Sequence, residues 1–524
     1  MLQATLKSKV PLLKEVWRLA LPVLLTNLLQ SLVNVVDVFM VGRLGSLATA
    51  AIGMASVIRV LVLVMVLAVT TGAMALVSQA KGARDPDRMS IVARQSISSG
   101  ILLSFMLMAI GLISAEPLLQ FANSSDDLVA VQLGAEYLQI FFLGIIFLIL
   151  NFVINRLMQG AGDTVTPLYL TGIVNILNIG LNYIFMFGLG PIPAFGLQGA
   201  ALGTIAARAL GVVLGLMIIY SGRNIIKIGA GSYWPDRQMF TDIFTIGVPS
   251  GIQGIFRNGS RLLVVKIISA TEVGIFGVTA LTIGSTIESL AFMPILGLNV
   301  AATSLVGQSL GSWQTDEAKQ RGTMAIAIAV VLMTIFVTPM IVFAPALIRL
   351  FAPDANATVL EAGTLYMRTN TLALPMTAVA MVANGAMRGA GDSTPGMFST
   401  LATRGGLSII LAYLFGVVLG YGSLAVWLSL LVGLVLDGIY MGSRWMSNRW
   451  VQVALEKSAV YRQHLRHLPD KTQKRYLSEV RTPLMAEPAA FEAVTEAGVT
   501  YEMGDRNVSV TFNSAEFQVV TLAH

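Results

Sequence analysis

Cysteine is absent from this chain, which excludes disulfides, thiol catalysis and thiolate metal sites. Histidine is nearly absent: His464, His467 and His524 all follow the last long apolar run, so no histidine relay is available at membrane depth. A His-Glu-x-x-His metalloprotease motif is missing as well. Charge is scarce, with Asp, Glu, Lys and Arg making up 12% of the 524 residues against 55% hydrophobic ones. At a mean hydropathy of +0.75, such a chain cannot hide its apolar side chains in a water-soluble core, and it reads as a polytopic membrane protein.

A membrane helix needs about 20 mostly apolar residues. Twelve such segments are predicted, near 16–41, 49–80, 91–114, 128–156, 166–187, 198–220, 241–268, 273–307, 321–346, 358–387, 395–418 and 423–443. The first follows Lys7, Lys9 and Lys14 but is too long for a signal-peptide core and lacks a small-residue cleavage site, so it reads as a retained helix. The net charge of +6 is distributed by loop rather than clustered, so no nucleic acid is expected. Alternate loops hold Lys81, Arg84, Arg88, Arg223, Lys227, Arg237, Lys319 and Arg321, while the opposite loops hold little beyond Arg43 and Arg349. This asymmetry puts both termini in the cytoplasm and supports an even number of spans.

The chain also resembles itself. "LVSQAKGARDPDR" from Leu76 returns as "LVGQSLGSWQTDEA" from Leu305, "MQGAGDTVTP" from Met158 as "MRGAGDSTP" from Met387, and "LALPVLLTNLLQ" more weakly as "TIGVPSGIQGIF" through Pro22 and Pro249, at an offset of 227 to 229. A constant offset over six segments means duplication, and six being even, both copies cross in the same direction. That is a parallel repeat, with a central cavity between two bundles whose exposure alternates. The expected fold is all-α, with twelve transmembrane helices in two six-helix bundles: an N-terminal lobe over 1–220, a cytoplasmic linker over 221–240, a C-terminal lobe over 241–443 and a cytoplasmic tail over 444–524.

The polar residues of the first copy are patterned. Asn27, Gln30, Ser31, Asn34 and Asp37 fall within an arc of about 120° on a helix. An ionisable group at membrane depth costs about 2.5–3.5 kcal/mol, so such a stripe faces the bundle interior or water. The alternative for Asp37 is a snorkelling residue near the segment's end at Gly42, which does not account for the deeper part of the stripe. In the fifth segment Thr171, Asn175, Asn178 and Asn182 share one face. Asn182 lies about as far before Gly188 as Asp37 does before Gly42, and Thr204 enters the sixth segment at a similar level. These amides serve either as a site or as interhelical glue.

"VDVFMVGRLG" closing the first segment, the loop pair "SQAKG" and "GQSLG", the twin "GAGD" turns and "ESLAFMPILGLNVAATSLVGQ" together resemble the multidrug and toxic compound extrusion (MATE) family of efflux transporters, prokaryotic type, over 16–443. The resemblance implies a cation-coupled antiporter that exports small organic compounds across the cytoplasmic membrane, with Asp37, Asn178, Asn182 and Thr204 taking up the coupling ion, H⁺ or Na⁺. The family often places a second Asp where Asn182 stands. Since desolvation disfavours the charged form of a carboxylate, a lone acid tilts the expectation toward H⁺, although two carboxamides and a hydroxyl still offer oxygen ligands to Na⁺. The expected partners are a small organic substrate and membrane lipids, for a monomer without a cofactor.

The second copy did not keep the acid. Asp37 aligns with Val264, Gln30 with Arg257 and Asn34 with Arg261. Asn34, Arg257, Arg261 and Glu288 are assigned to the substrate cavity or to an ion pair, in which Arg257 or Arg261 neutralises Glu288, with Arg59 another candidate partner. Arg404 and Asp437 are expected at an interface. "GAGD" superficially matches an intramembrane aspartyl protease, but both copies occupy equivalent turns followed by Thr-Pro, and a partner Tyr-Asp is missing. A flippase for lipid-linked saccharide or other anionic lipid-like cargo is the competing reading, and a channel is disfavoured because the polar patches form no rings. In the tail, Trp445 and Trp450 read as interfacial anchors and "TYEMGDRNVSVTF" as a hairpin.

Overall fold

The computed structural model describes residues 2–122, 128–222, 224–229, 231–457, 499–503, 506–512 and 517–521. His464, His467, His524, Arg223 and the basic stretch beyond Lys457 lie outside them. Met1–Ala454 forms one compact unit and Leu455–His524 another.

The first unit is built from helices. Its first half comprises α1 (Leu2–Gly42), α2 (Ser46–Gly82), α3 (Pro86–Ala122), α4 (Leu128–Leu143), α5 (Ile145–Gly160), α6 (Val165–Phe187) and α7 (Gly196–Tyr220). The second half comprises α8 (Arg237–Ser269), α9 (Gly274–Gly311), α10 (Thr315–Val342), α11 (Ala344–Phe351), α12 (Ala357–Asn370), α13 (Leu374–Gly389), α14 (Thr394–Thr400), α15 (Ser408–Tyr413) and α16 (Gly422–Met446), with α17 (Arg449–Lys457) following. Nine of the described helices are long and apolar enough to span a membrane alone, and α4 with α5 makes a tenth span bent by 52°. The remaining expected spans, α8 and the α12–α13 pair, are helical over the expected length but more polar, α8 carrying Arg257, Arg261 and Lys266.

The repeat is visible in the backbone. Each "GAGD" turn places its second glycine in the left-handed region, Gly162 at φ 88° and Gly391 at φ 83°, where a side chain would be strained. Each then closes with the same hydrogen bond, Asp163 N to Met158 O and Asp392 N to Met387 O, both 2.9 Å. Asp163 also accepts from Thr166 N, in the first turn of α6, at 3.0 Å.

The equivalent helices α2 and α9 are the most enclosed, and unevenly so. From Val69 to Ala80 and from Val300 to Gly307 every residue is buried. Toward the other end only one face is buried, Ala48, Ala51, Ala55, Ile58 and Val62 on α2, and Val57, Leu61 and Met65 are exposed. The bundle is therefore sealed at the end carrying the GAGD turns and open at the opposite end.

Small residues make the seal, as expected where close backbone approach rather than the hydrophobic effect drives helix association. A Cβ at Gly82 would collide with the carbonyl of Gln308, and one at Gly311 with that of Gln79. Gln79 Nε2 donates to Gly389 O at 3.0 Å, while Gln308 Nε2 donates to Gly160 O at 3.2 Å. Gln79 and Gln308, Gly82 and Gly311, and Gly160 and Gly389 are repeat counterparts, so the contact is reciprocal: each half reaches across to the same backbone position in the other.

Several expectations change. Trp445 and Trp450 are buried and stack at 4.3 Å; Trp445 Nε1 donates to Thr323 and Trp450 Nε1 to Trp445 O. They are packing residues because α17 folds back onto the end of α16. The segment after α7 is tied down, with Arg94 donating to Gly229 O at 2.7 Å and Asn224 to Asp163 at 2.9 Å, and Asp236 capping α8. Leu455–His524 contains an antiparallel sheet of β1 (Val499–Met503), β2 (Arg506–Phe512) and β3 (Phe517–Thr521) in the order β1-β2-β3, so the hairpin forms and gains a third strand.

Candidate functional site

Near the open end a small cavity of about 60 Å³ gathers Gln30, Asn34, Asp37, Asn178, Asn182 and Thr204 around one space. Their elements explain the convergence. α1 and α6 run side by side with their polar stripes facing, and α7 begins at the level where both end. Gly203 makes the last approach possible, since a Cβ there would collide with Asn182.

The resulting network is continuous. Asn182 Nδ2 donates to Asp37 Oδ1 at 2.9 Å and lies 3.4 Å from Asn178 Oδ1. Asn178 Nδ2 donates to Thr204 Oγ1 at 3.1 Å, and Thr204 Oγ1 in turn lies 3.5 Å from Asn182 Oδ1. Asn178 and Asn182 are buried, at 5% and 1% exposure, whereas Asp37 is half-buried and Asn34 faces the open cavity. Among the described residues no group of three or more acidic or histidine side chains is gathered to hold a metal ion. The site has one carboxylate and neutral oxygens.

Sequence reasoning did not place Arg208 and Tyr137 here, and both line the same cavity. Arg208 lies one helical turn beyond Thr204, a spacing that would have revealed it. Arg59, expected as a possible partner of Glu288, instead donates to Tyr137 Oη at 3.1 Å in the first half.

The second half is arranged otherwise. The expected ion pair of Arg257 or Arg261 with Glu288 is not formed: Glu288 accepts from Tyr366 Oη at 3.0 Å, and Arg261 donates to Ser285 at 2.7 Å. Tyr366 reaches Glu288 first because α12 packs on the buried face of α9. Arg404 pairs with Asp437 at 3.0 Å, with Asp437 buried, rather than lying at an interface. On α8, Gln253 accepts from Asn384 at 2.9 Å and from Arg388 at 2.7 Å.

The family model MatE matches residues 22–184 and 249–414. A Thermotoga maritima protein named Probable multidrug resistance protein NorM is 27% identical over 459 residues, 87% of this chain and 96% of that protein. A Shewanella oneidensis protein named FAD transporter is 22% identical over 321 residues, 61% of this chain and 70% of that one. A solved structure described as the outward-facing conformation of a multidrug resistance MATE family transporter superposes with a TM-score of 0.77 at 23% identity, covering 83% of this chain and 96% of that one.

Proposed function

Because the chain belongs to the MatE family, matched over both halves, we propose that this multi-pass membrane transporter exports small organic compounds by alternating access, in exchange for H⁺ or Na⁺ taken up at Asp37. It is a transporter and not an enzyme. The names of its relatives, multidrug resistance protein and FAD transporter, favour small-compound cargo over a lipid-linked-saccharide flippase. The protein works as a monomer in the cytoplasmic membrane, both termini inside, with lobes 1–220 and 241–443 rocking about the linker 221–240.

The observation that carries the reading is the hydrogen-bonded cluster Asp37–Asn182–Asn178–Thr204 at the open end of a bundle sealed at the other. α1 links the two. Its Asp37 end is bonded to α6, while farther along Gly297 of α9 packs against the Ala20 carbonyl and Glu15 pairs with Arg321 of α10 at 3.0 Å. Neutralising Asp37 weakens a charge-assisted hydrogen bond and changes what holds α1 to the first half, while its other end pulls on the second. A cation is thereby given different affinities for the two states, which exchange requires.

The amide of Asn182 already points its donor at Asp37, so Na⁺ has to displace that NH₂ group whereas a proton need only add to the carboxylate. This supports H⁺. The test is substrate exchange in proteoliposomes under separately imposed H⁺ and Na⁺ gradients. Acceleration by the H⁺ gradient alone is expected; transport indifferent to both gradients would remove the coupling role.

A further inference from the structure

Just inside the seal, arginines outnumber acids. Gly160 and Gly389 are the carbonyls that Gln308 and Gln79 grip across the halves. The residues immediately before them, Gln159 and Arg388, are repeat counterparts and so face the meeting line of the two halves. Arg156 Nη1 donates to Gln159 Oε1 at 3.1 Å, and Arg388 Nη2 donates to Gln253, one turn before Arg257. Arg388 thus stands within the electrostatic reach of both Arg156 and Arg257. Three guanidinium groups from α5, α8 and α13 thus share one neighbourhood, and the acid within reach of Arg257, Asp437, is already paired with Arg404.

Among the described residues the ion pairs are Arg321 with Glu15 and Glu317, Arg404 with Asp437, and Arg444 with Asp392. None includes Arg156, Arg257 or Arg388. Moreover, Arg388 Nε and Asn384 Oδ1, one turn apart on α13, are buried without a hydrogen-bond partner. Like charges brought together at membrane depth with fewer counter-charges than cations are costly, and a buried unsatisfied donor adds to that cost. Folding alone gives no reason for the arrangement, since neutral side chains would make the same close packing.

We propose that Arg388, with Arg156 and Arg257, forms a cargo site for an organic anion, an apolar compound bearing a carboxylate, sulfonate or phosphate group. The proposal rests on the export function above and names its substrate class. A planar guanidinium matches such a group with paired N–H donors, and the anion supplies the charge missing from this cluster. The site lies toward the sealed end, apart from Asp37 at the open end, so cargo and coupling ion occupy separate places.

The test measures carboxyfluorescein and ethidium, an organic anion and an organic cation, on the purified full chain by fluorescence anisotropy and then as cargo in proteoliposomes. Carboxyfluorescein should bind and be transported. Arg388→Gln should lower the anion-to-cation affinity ratio at least about tenfold, with Arg388→Lys in between, because lysine keeps the charge and loses the fork. Arg257→Gln, on a more exposed side chain, repeats the measurement if Arg388→Gln unfolds. Absence of carboxyfluorescein binding by the folded parent chain, or an unchanged ratio in folded Arg388→Gln, overturns the site. So does complete displacement by chloride at ionic strength matched with gluconate, which would mean an inorganic-anion site only. Carboxyfluorescein that binds while neither dye is transported upholds the site and refutes the export reading; ethidium transported without carboxyfluorescein binding does the reverse.

Discussion

The two halves are alike at one end of the molecule and unlike at the other. At the sealed end Gln79 and Gln308, Gly82 and Gly311, and Gly160 and Gly389 exchange equivalent contacts. At the open end the first half has Asp37 in a cluster of amides, while its counterpart is the buried, apolar Val264. The pairing partners of α6 differ too: α6 is one regular helix, whereas the equivalent stretch runs α14, a π-helix at Leu401–Leu407, α15 and a second π-helix at Leu414–Val418. Closing a two-lobed bundle calls on both lobes equally, so backbone devices stayed matched. On the proposed reading ion coupling needs one site, which left the other copy free to change.

The largest effect should come from the unmatched end. Asp37→Asn is expected to abolish gradient-driven export in proteoliposomes while leaving a folded, inserted protein, because Asn lowers the cost of a charge in the membrane and keeps the shape. Undiminished transport would make the carboxylate structural. Asn182→Asp should shift the coupling toward Na⁺, as two acids with Asn178 and Thr204 form a better cation cage.

The matched end makes a symmetric prediction. Gly82→Val and Gly311→Val should impair transport to the same severe degree, since each forces a side chain into the other half's glutamine backbone. The native chain has no cysteine, so a single cysteine placed at Ser78 reports the seal directly. It should be labelled by membrane-impermeant maleimide from the GAGD side in either variant and protected in the parent. If only one variant opens, the reciprocity is geometric and not functional.

Within the second half, Asp437→Asn leaves Arg404 without its buried partner and should cost about 3 kcal/mol of stability, read as a lowered unfolding midpoint. Glu288→Gln should cost about 1 kcal/mol or less, because Gln still accepts from Tyr366 and no cation loses an ion pair. A thermal shift equal to that of Asp437→Asn would mean that Glu288 compensates an arginine after all.

The smallest effect is expected from the tail. Ending the chain after Lys457 should leave transport and stability unchanged, whereas ending it after Arg449 removes Trp450 from its stack on Trp445 and should lower thermal stability. Loss of transport in the folded longer version would give the tail a mechanistic part.

The spans, the duplication and the polar stripe of α1 were legible because each depends on one helix at a time: apolar length, a constant offset and a period of 3.6 residues are properties of local sequence. The depth match of Asp37, Asn182 and Thr204 followed from counting residues to a helix end, and the cavity brings them together as that count implied. Pairing across helices was not legible in this way. Whether Arg257, Arg261 or Tyr366 reaches Glu288, whether Arg404 meets Asp437, and whether Arg156, Arg257 and Arg388 meet one another depend on helix rotation and spacing, which differ by ångströms among arrangements with the same periodicity. Trp445 and Trp450 carry the composition of membrane anchors, and only the return of α17 onto α16 buries them. Sequence determined which residues each helix face presents; the packing of helices distant in the chain decided which faces meet, because ion pairs and hydrogen bonds form only within about 3–4 Å.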